Sequence, residues 1–181
     1  MTENTRSQLS EICGALAAHR LPRWQDLPDL ELYMDQVLAL VDRYLGSYPG
    51  FDGKGLTASM VNNYVKLGVM PPPVRKKYTR THLAHLLMIC VLKASLPIAS
   101  IQRLIACELE NSTEDLMYDR FCALFEQTGC AVASSAESLL DSQDDSPSLL
   151  PSLYYSALRA QAERALALKL HAALFPEDAD A

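Results

Sequence analysis

The sequence predicts a mainly α-helical protein with one short β wing, and three observations carry that prediction. Apolar residues recur at three- and four-residue steps in one segment after another. The 181 residues include only 7 glycines and 7% aromatics, which argues against a strand-rich sandwich. The stretch that forbids helix most firmly, Pro71-Pro72-Pro73, is short. It leads into Val74-Arg75-Lys76-Lys77-Tyr78, three cations flanked by β-forming residues, as in a hairpin or wing.

The elements follow in order. Leu9, Ile12, Cys13 and Leu16 set a first helix over residues 5–19. LPRWQDLPDLEL, with Pro22 and Pro28, reads as an extended lead-in anchored by the only tryptophan, Trp24. Leu32, Val37, Leu38, Val41, Tyr44 and Leu45 then mark an amphipathic helix over residues 31–44, ended by Gly46. After a Gly/Pro loop over residues 47–55, Thr57 as N-cap and Gly68 as C′ residue bracket the most sharply patterned helix, residues 57–68. Thr79 caps a nearly all-apolar helix over residues 80–94, which therefore has to be buried on several sides. Pro97 opens the next helix, to residue 109, and Thr113 starts another, to residue 128. Residues 134–152, rich in Ser and Asp, read as a loop, and residues 153–174 as a last, Ala- and Leu-rich helix. The expected organisation is an N-terminal helix (1–20), a core (21–110) with reading helix 57–68 and wing 71–79, and a C-terminal helical extension (111–181).

Charge distribution is the most informative number. The chain carries a net −6, yet residues 53–107 hold no Asp or Glu and eight cations: Lys54, Lys66, Arg75, Lys76, Lys77, Arg80, Lys93 and Arg103. A +8 segment inside a −14 remainder points to a surface that faces a polyanion. Within it Ser59, Asn62, Asn63 and Lys66 fall at i, i+3, i+4 and i+7, one polar stripe without a carboxylate. Asparagine can make bidentate contacts to adenine in the major groove, so Asn62 and Asn63 are candidate base readers beside Ser59 and Lys66. Arg75, Lys76, Lys77 and Arg80 are candidate phosphate contacts, which position a protein on duplex DNA without specifying sequence.

Other chemistry finds little support. The five cysteines form no CxxC pair and suit a reducing compartment. His82 with His85, and Cys122 with Cys130, offer two ligands each without a third at metal spacing. No nucleophile elbow, Gly-rich phosphate loop or HExxH motif is present. The longest apolar run, LLMICVL, is far short of a bilayer span, and the first residues lack a basic start followed by an apolar stretch. The expectation is a cytoplasmic protein with no catalytic residue, cofactor, metal or membrane contact.

The order of polar-striped helix, GVMPPP, cations, aromatic and buried helix resembles the winged-helix reader of the MerR (mercury-resistance regulator) family. Tyr64, Gly68, Val69 and Pro71 match its recognition helix and the turn after it. Arg75, Lys77 and Tyr78 match its wing, Leu83 and Ile89 its core, and Pro97, Ile98 and Ile101 its last turn. A longer resemblance, over residues 21–109, is to a bacterial family catalogued as domain of unknown function 1836. It rests on Leu21-Pro22-x-Trp24, Leu27-Pro28, Leu32-Tyr33-Met34-Asp35-Gln36-Val37, Asn62-Asn63-Tyr64-Val65-Lys66 and Lys76-Lys77-Tyr78. Together they imply a MerR-like winged helix-turn-helix core with extra helices at both ends. The implied function is double-stranded DNA binding in transcription regulation. The alternative is a non-catalytic interaction or dimerisation module on the same scaffold, with a homodimer formed through the C-terminal helices.

Overall fold

The computed structural model describes residues 3–51, 55–141 and 150–176. Among them seven α-helices follow one another: α1 (Glu3–Ala18), α2 (Met34–Leu45), α3 (Ala58–Lys66), α4 (Arg80–Leu92), α5 (Ile98–Asn111), α6 (Glu114–Asp141) and α7 (Leu150–Leu174). None of them is long and apolar enough to cross a membrane.

Helix α4 is the hub. RTHLAHLLMICVL has apolar side chains around its whole circumference, so it is stable only with neighbours on every side. Leu83, Leu86, Leu87 and Ile89 are fully buried, each contributing about 1.5–3 kcal/mol through removal from water. Helix α2 packs against α4 with Val37, Val41 and Leu45, α5 with Ile101 and Ile105, and α6 with Met117, Tyr118 and Cys122. Helix α3 packs on α2 and turns Val61 and Tyr64 inward.

The lead-in wraps this core along α6. Leu21 and Leu27 are buried, and the backbone N–H of Trp24 donates to Asp119 Oδ1 at 2.7 Å. Arg23 Nη2 donates to Glu126 Oε2 at 2.8 Å. Beyond it, Leu32 and Tyr78 exchange both backbone hydrogen bonds, each 2.8 Å. That pairing moves the start of α2 from the expected residue 31 to Met34, because Leu32 is held extended.

Two expectations are corrected. Among the described residues the β wing does not form a ladder: only the isolated bridges Leu32↔Tyr78 and Val74↔Lys77 occur. Pro71, Pro72 and Pro73 have no N–H to donate, and both backbone groups of Tyr78 are taken by Leu32. The second correction concerns α6, which runs to Asp141 rather than 128, so residues 134–141 are helix and not loop. Residues 142–149 of the expected Ser/Asp-rich loop lie outside the described residues, and α7 begins at Leu150.

The extension of α6 comes from α1, its principal partner. Ala133 is 3% exposed, Cys130 Sγ donates to the Ala17 carbonyl at 3.5 Å, and at Gly129 an added Cβ would lie 2.5 Å from the Leu16 carbonyl oxygen. The two backbones touch there, a contact that only glycine allows. Gly129→Ala should therefore lower stability by about 1–3 kcal/mol, although alanine gains about 1 kcal/mol of helix propensity over glycine. Urea unfolding checks this; an unchanged or raised midpoint would show that α1 shifts without penalty.

Candidate nucleic-acid interface

The candidate surface begins with α3, whose two ends are set by sequence. Thr57 Oγ1 accepts from the Met60 N–H at 3.3 Å. At the other end Gly68 has φ +69, its N–H donates to the Val65 carbonyl and the Val69 N–H to the Tyr64 carbonyl, both at 3.0 Å. This is a Schellman closure in which glycine removes the Cβ penalty of the left-handed conformation. Between these caps Val61 and Tyr64 face the core, which leaves Ser59, Asn62, Asn63 and Lys66 exposed on the opposite side.

The second part is the turn Val74-Arg75-Lys76-Lys77. The Lys77 N–H donates to the Val74 carbonyl at 2.9 Å, and Arg75 and Lys76 have φ +52 and +63. Two successive positive φ values define a type I′ turn, a geometry that favours Asn-Gly. Filling it with Arg and Lys stores strain on the order of 1–3 kcal/mol per residue. Both cations are exposed, so the strained turn presents charge to solvent rather than packing it.

The two remaining expected cations, Lys77 and Arg80, have partners within the molecule. Lys77 Nζ sits 3.4 Å from the centroid of the Tyr33 ring, a cation–π contact. Arg80 Nε donates to the Leu27 carbonyl at 3.2 Å, its Nη2 lies 3.6 Å from Asp29 Oδ2, and its guanidinium is 5.6 Å from the Trp24 ring centroid. It braces the lead-in against α4. Periodicity does not show these partners, although Trp24 and Tyr33 lie in segments already marked by the family resemblance. The structure thus places Ser59, Asn62, Asn63, Lys66, Arg75 and Lys76 on the exterior with no side-chain hydrogen bond or ion pair among the described residues, and diverts Arg80 to a structural contact.

His82 anchors the segment that follows the turn. Its Nδ1 accepts from the Thr79 N–H at 3.0 Å and lies 2.9 Å from Thr79 Oγ1, a capping box with histidine in the usual Glu/Gln position. The Thr79-x-x-His82 spacing was the available signal. Burial pushes the His82 pKa below its ordinary 6.5, opposed by the nearby Pro72 and Pro71 carbonyls. A neutral ring is what the cap needs, since a protonated Nδ1 cannot accept.

These features define a class: a helical domain that exposes a carboxylate-free helix face beside a strained basic turn. The chain belongs to the family described as domain of unknown function (DUF1836), whose model matches residues 22–126. That span extends into α6 and takes in Asp119 and Glu126, the residues that hold the lead-in. No curated protein and no solved structure matches the chain.

Two outcomes follow from this geometry. The unfolded chain binds a proton at His82 more readily than the folded one, so stability is complete above about pH 6.5 and falls as pH drops through that value. His82→Gln offers the cap an oxygen that does not titrate, and thermal melts should show a shallower decline between pH 7.5 and pH 5. Burial lowers the His19 pKa as well, so part of the slope remains; an unaltered slope would remove His82 from the account. Separately, Arg75→Asn with Lys76→Gly relieves the positive-φ strain and should raise the unfolding free energy by about 1–3 kcal/mol, read as a higher urea midpoint.

Proposed function

We propose that the protein is a non-catalytic, DNA-binding transcription regulator that reads duplex DNA as a MerR-like winged helix does, with α3 in the major groove and the 74–77 turn as the wing. One observation carries this reading. Six exposed polar or cationic side chains, without hydrogen-bond or ion-pair partners among the described residues, lie on α3 and the turn, inside a 55-residue window with no carboxylate. Asn62 and Asn63 are the base readers, each bidentate contact being worth about 1–3 kcal/mol of discrimination. Lys66, Arg75 and Lys76 contact phosphates with Ser59 beside them, and Lys77, positioned on Tyr33, adds a fourth cation. Four phosphate contacts correspond to a salt slope of about −3.6 in log K against log salt. Arg80 acts behind them as a brace.

The test is selection of sheared genomic DNA from the source organism by the purified full chain at about 0.1–0.15 M salt. It is run beside two variants, Asn62→Ala with Asn63→Ala, and Arg75→Asn with Lys76→Gly. A few strongly enriched loci are expected with the natural chain. The Asn variant should lose that enrichment while keeping weak, salt-sensitive binding to any duplex. The turn variant should weaken binding to all sequences and flatten the salt slope by about 2. Absence of enrichment relative to the variants would reject the reading.

A further inference from the structure

Helices α4, α5 and α6 turn one face each toward a shared groove. On α6 that face is Met117, Arg120, Phe121, Leu124, Phe125 and Thr128, at three- and four-residue steps. The groove has a volume of about 550 Å³, inside the range of small-molecule sites. Close-packed interiors leave few voids larger than one water, so a hollow of this size departs from ordinary packing. Buried Met88, Ile105 and Met117 form its floor, and half-buried Leu92, Leu104 and Phe121 its walls.

Two features bound its length. Tyr48, from the turn after α2, lies 4.9 Å from Phe125 between ring centroids, and Phe125 lies 6.4 Å from Phe121. These rings make one end aromatic. Toward the other, Arg120 Nη1 donates to Glu108 Oε2 at 2.7 Å. From Met117 to Thr128 the groove runs about 16 Å along the α6 axis, a length that suits a compact molecule.

The chemistry of the lining sets the class of occupant. Glu108 and Arg120 are its charged residues, and they neutralise one another. A charged ligand would have to compete with that pair, whereas a neutral one leaves it intact. The hydroxyls of Tyr48, Ser95 and Thr128 make no side-chain hydrogen bond among the described residues. Burial raises the Tyr48 pKa, which keeps the phenol neutral. Water in such a groove finds few polar partners, and an apolar molecule that displaces it gains free energy. At about 30 Å³ per liquid water, the volume corresponds to about 18 non-hydrogen atoms.

We propose that the α4–α5–α6 groove binds one uncharged, lipophilic small molecule of about that size. Its aromatic body stacks on Phe121 and Phe125, and a polar group, where it has one, meets the Tyr48 hydroxyl. The proposal does not depend on DNA binding.

Phenyl-naphthylamine, a neutral aromatic fluorophore of suitable size, tests it by titration into the full chain. Fluorescence should saturate at one probe per chain, with a dissociation constant of about 1–100 μM, as expected for a ligand of this size. Its sulfonate relative, anilinonaphthalene sulfonate, should bind about fivefold more weakly, and Glu108→Gln, which frees Arg120, should narrow that gap. Leu124→Lys on the wall and Thr128→Trp at the aromatic end should each weaken the neutral probe by about tenfold or more. Leu158→Lys, on the exposed surface of α7, should leave it unchanged. All three positions are exposed, so each variant should keep its cooperative melt. Absence of saturable binding would overturn the proposal. So would a sulfonate that binds as tightly as the neutral probe, or affinity retained by either groove variant or lost in Leu158→Lys.

Discussion

Everything in the core depends on one constraint: α4 has no polar side to show to water. A helix with apolar residues around its whole circumference forces its neighbours into a shell, and α2, α5 and α6 supply it. The position of α3 follows from that arrangement, because it packs on α2, turns Val61 and Tyr64 into the same core and so keeps its other face outward. Polar ties at its seams add to the burial that holds the shell. Asp119 and Glu126 of α6 receive the lead-in through Trp24 and Arg23, and Leu32 pairs with Tyr78 so that the chain enters α2 and leaves the basic turn at one point.

That seam explains how a strained turn can persist. Arg75 and Lys76 adopt backbone conformations that L-residues avoid, between two fixed ends. On one side Val69 and Met70 are buried beyond the Schellman closure, and on the other Tyr78 is buried, paired with Leu32 and followed by the Thr79–His82 cap. The surrounding structure over-determines the turn and so absorbs its strain. The result is a guanidinium and an ammonium group that form no ion pair among the described residues, which is the electrostatic arrangement a phosphate surface attracts.

Two regions carry different kinds of unsatisfied surface. On α3 and the turn it is hydrogen-bonding capacity and positive charge; on α7 and the α4–α5–α6 groove it is apolar area. A chain that is acidic as a whole can present a basic surface only by confining its carboxylates elsewhere, and α5 and α6 are where many of them lie.

Local chemistry in the sequence determined a great deal. The caps Thr57 and Gly68, the polar stripe from Ser59 to Lys66 and the enclosed nature of α4 were legible because each is a property of neighbours along the chain. So was the carboxylate-free window. What tertiary structure decided are the contacts between residues far apart. Arg80 is drawn from the candidate surface to Leu27 and Trp24, Lys77 comes to rest on Tyr33, and Tyr78 pairs with Leu32 in place of a strand in its own hairpin. The length of α6 belongs to the same group. The composition of residues 134–141 suits a loop, but α1 packs on α6 through Gly129, Cys130 and Ala133, and the helix continues past them. Periodicity and capping report the energy of a segment with itself and with water. They carry no information about a partner far away along the chain, and in this protein such partners set where the wing pairs, which cations stay outside and where the longest helix ends.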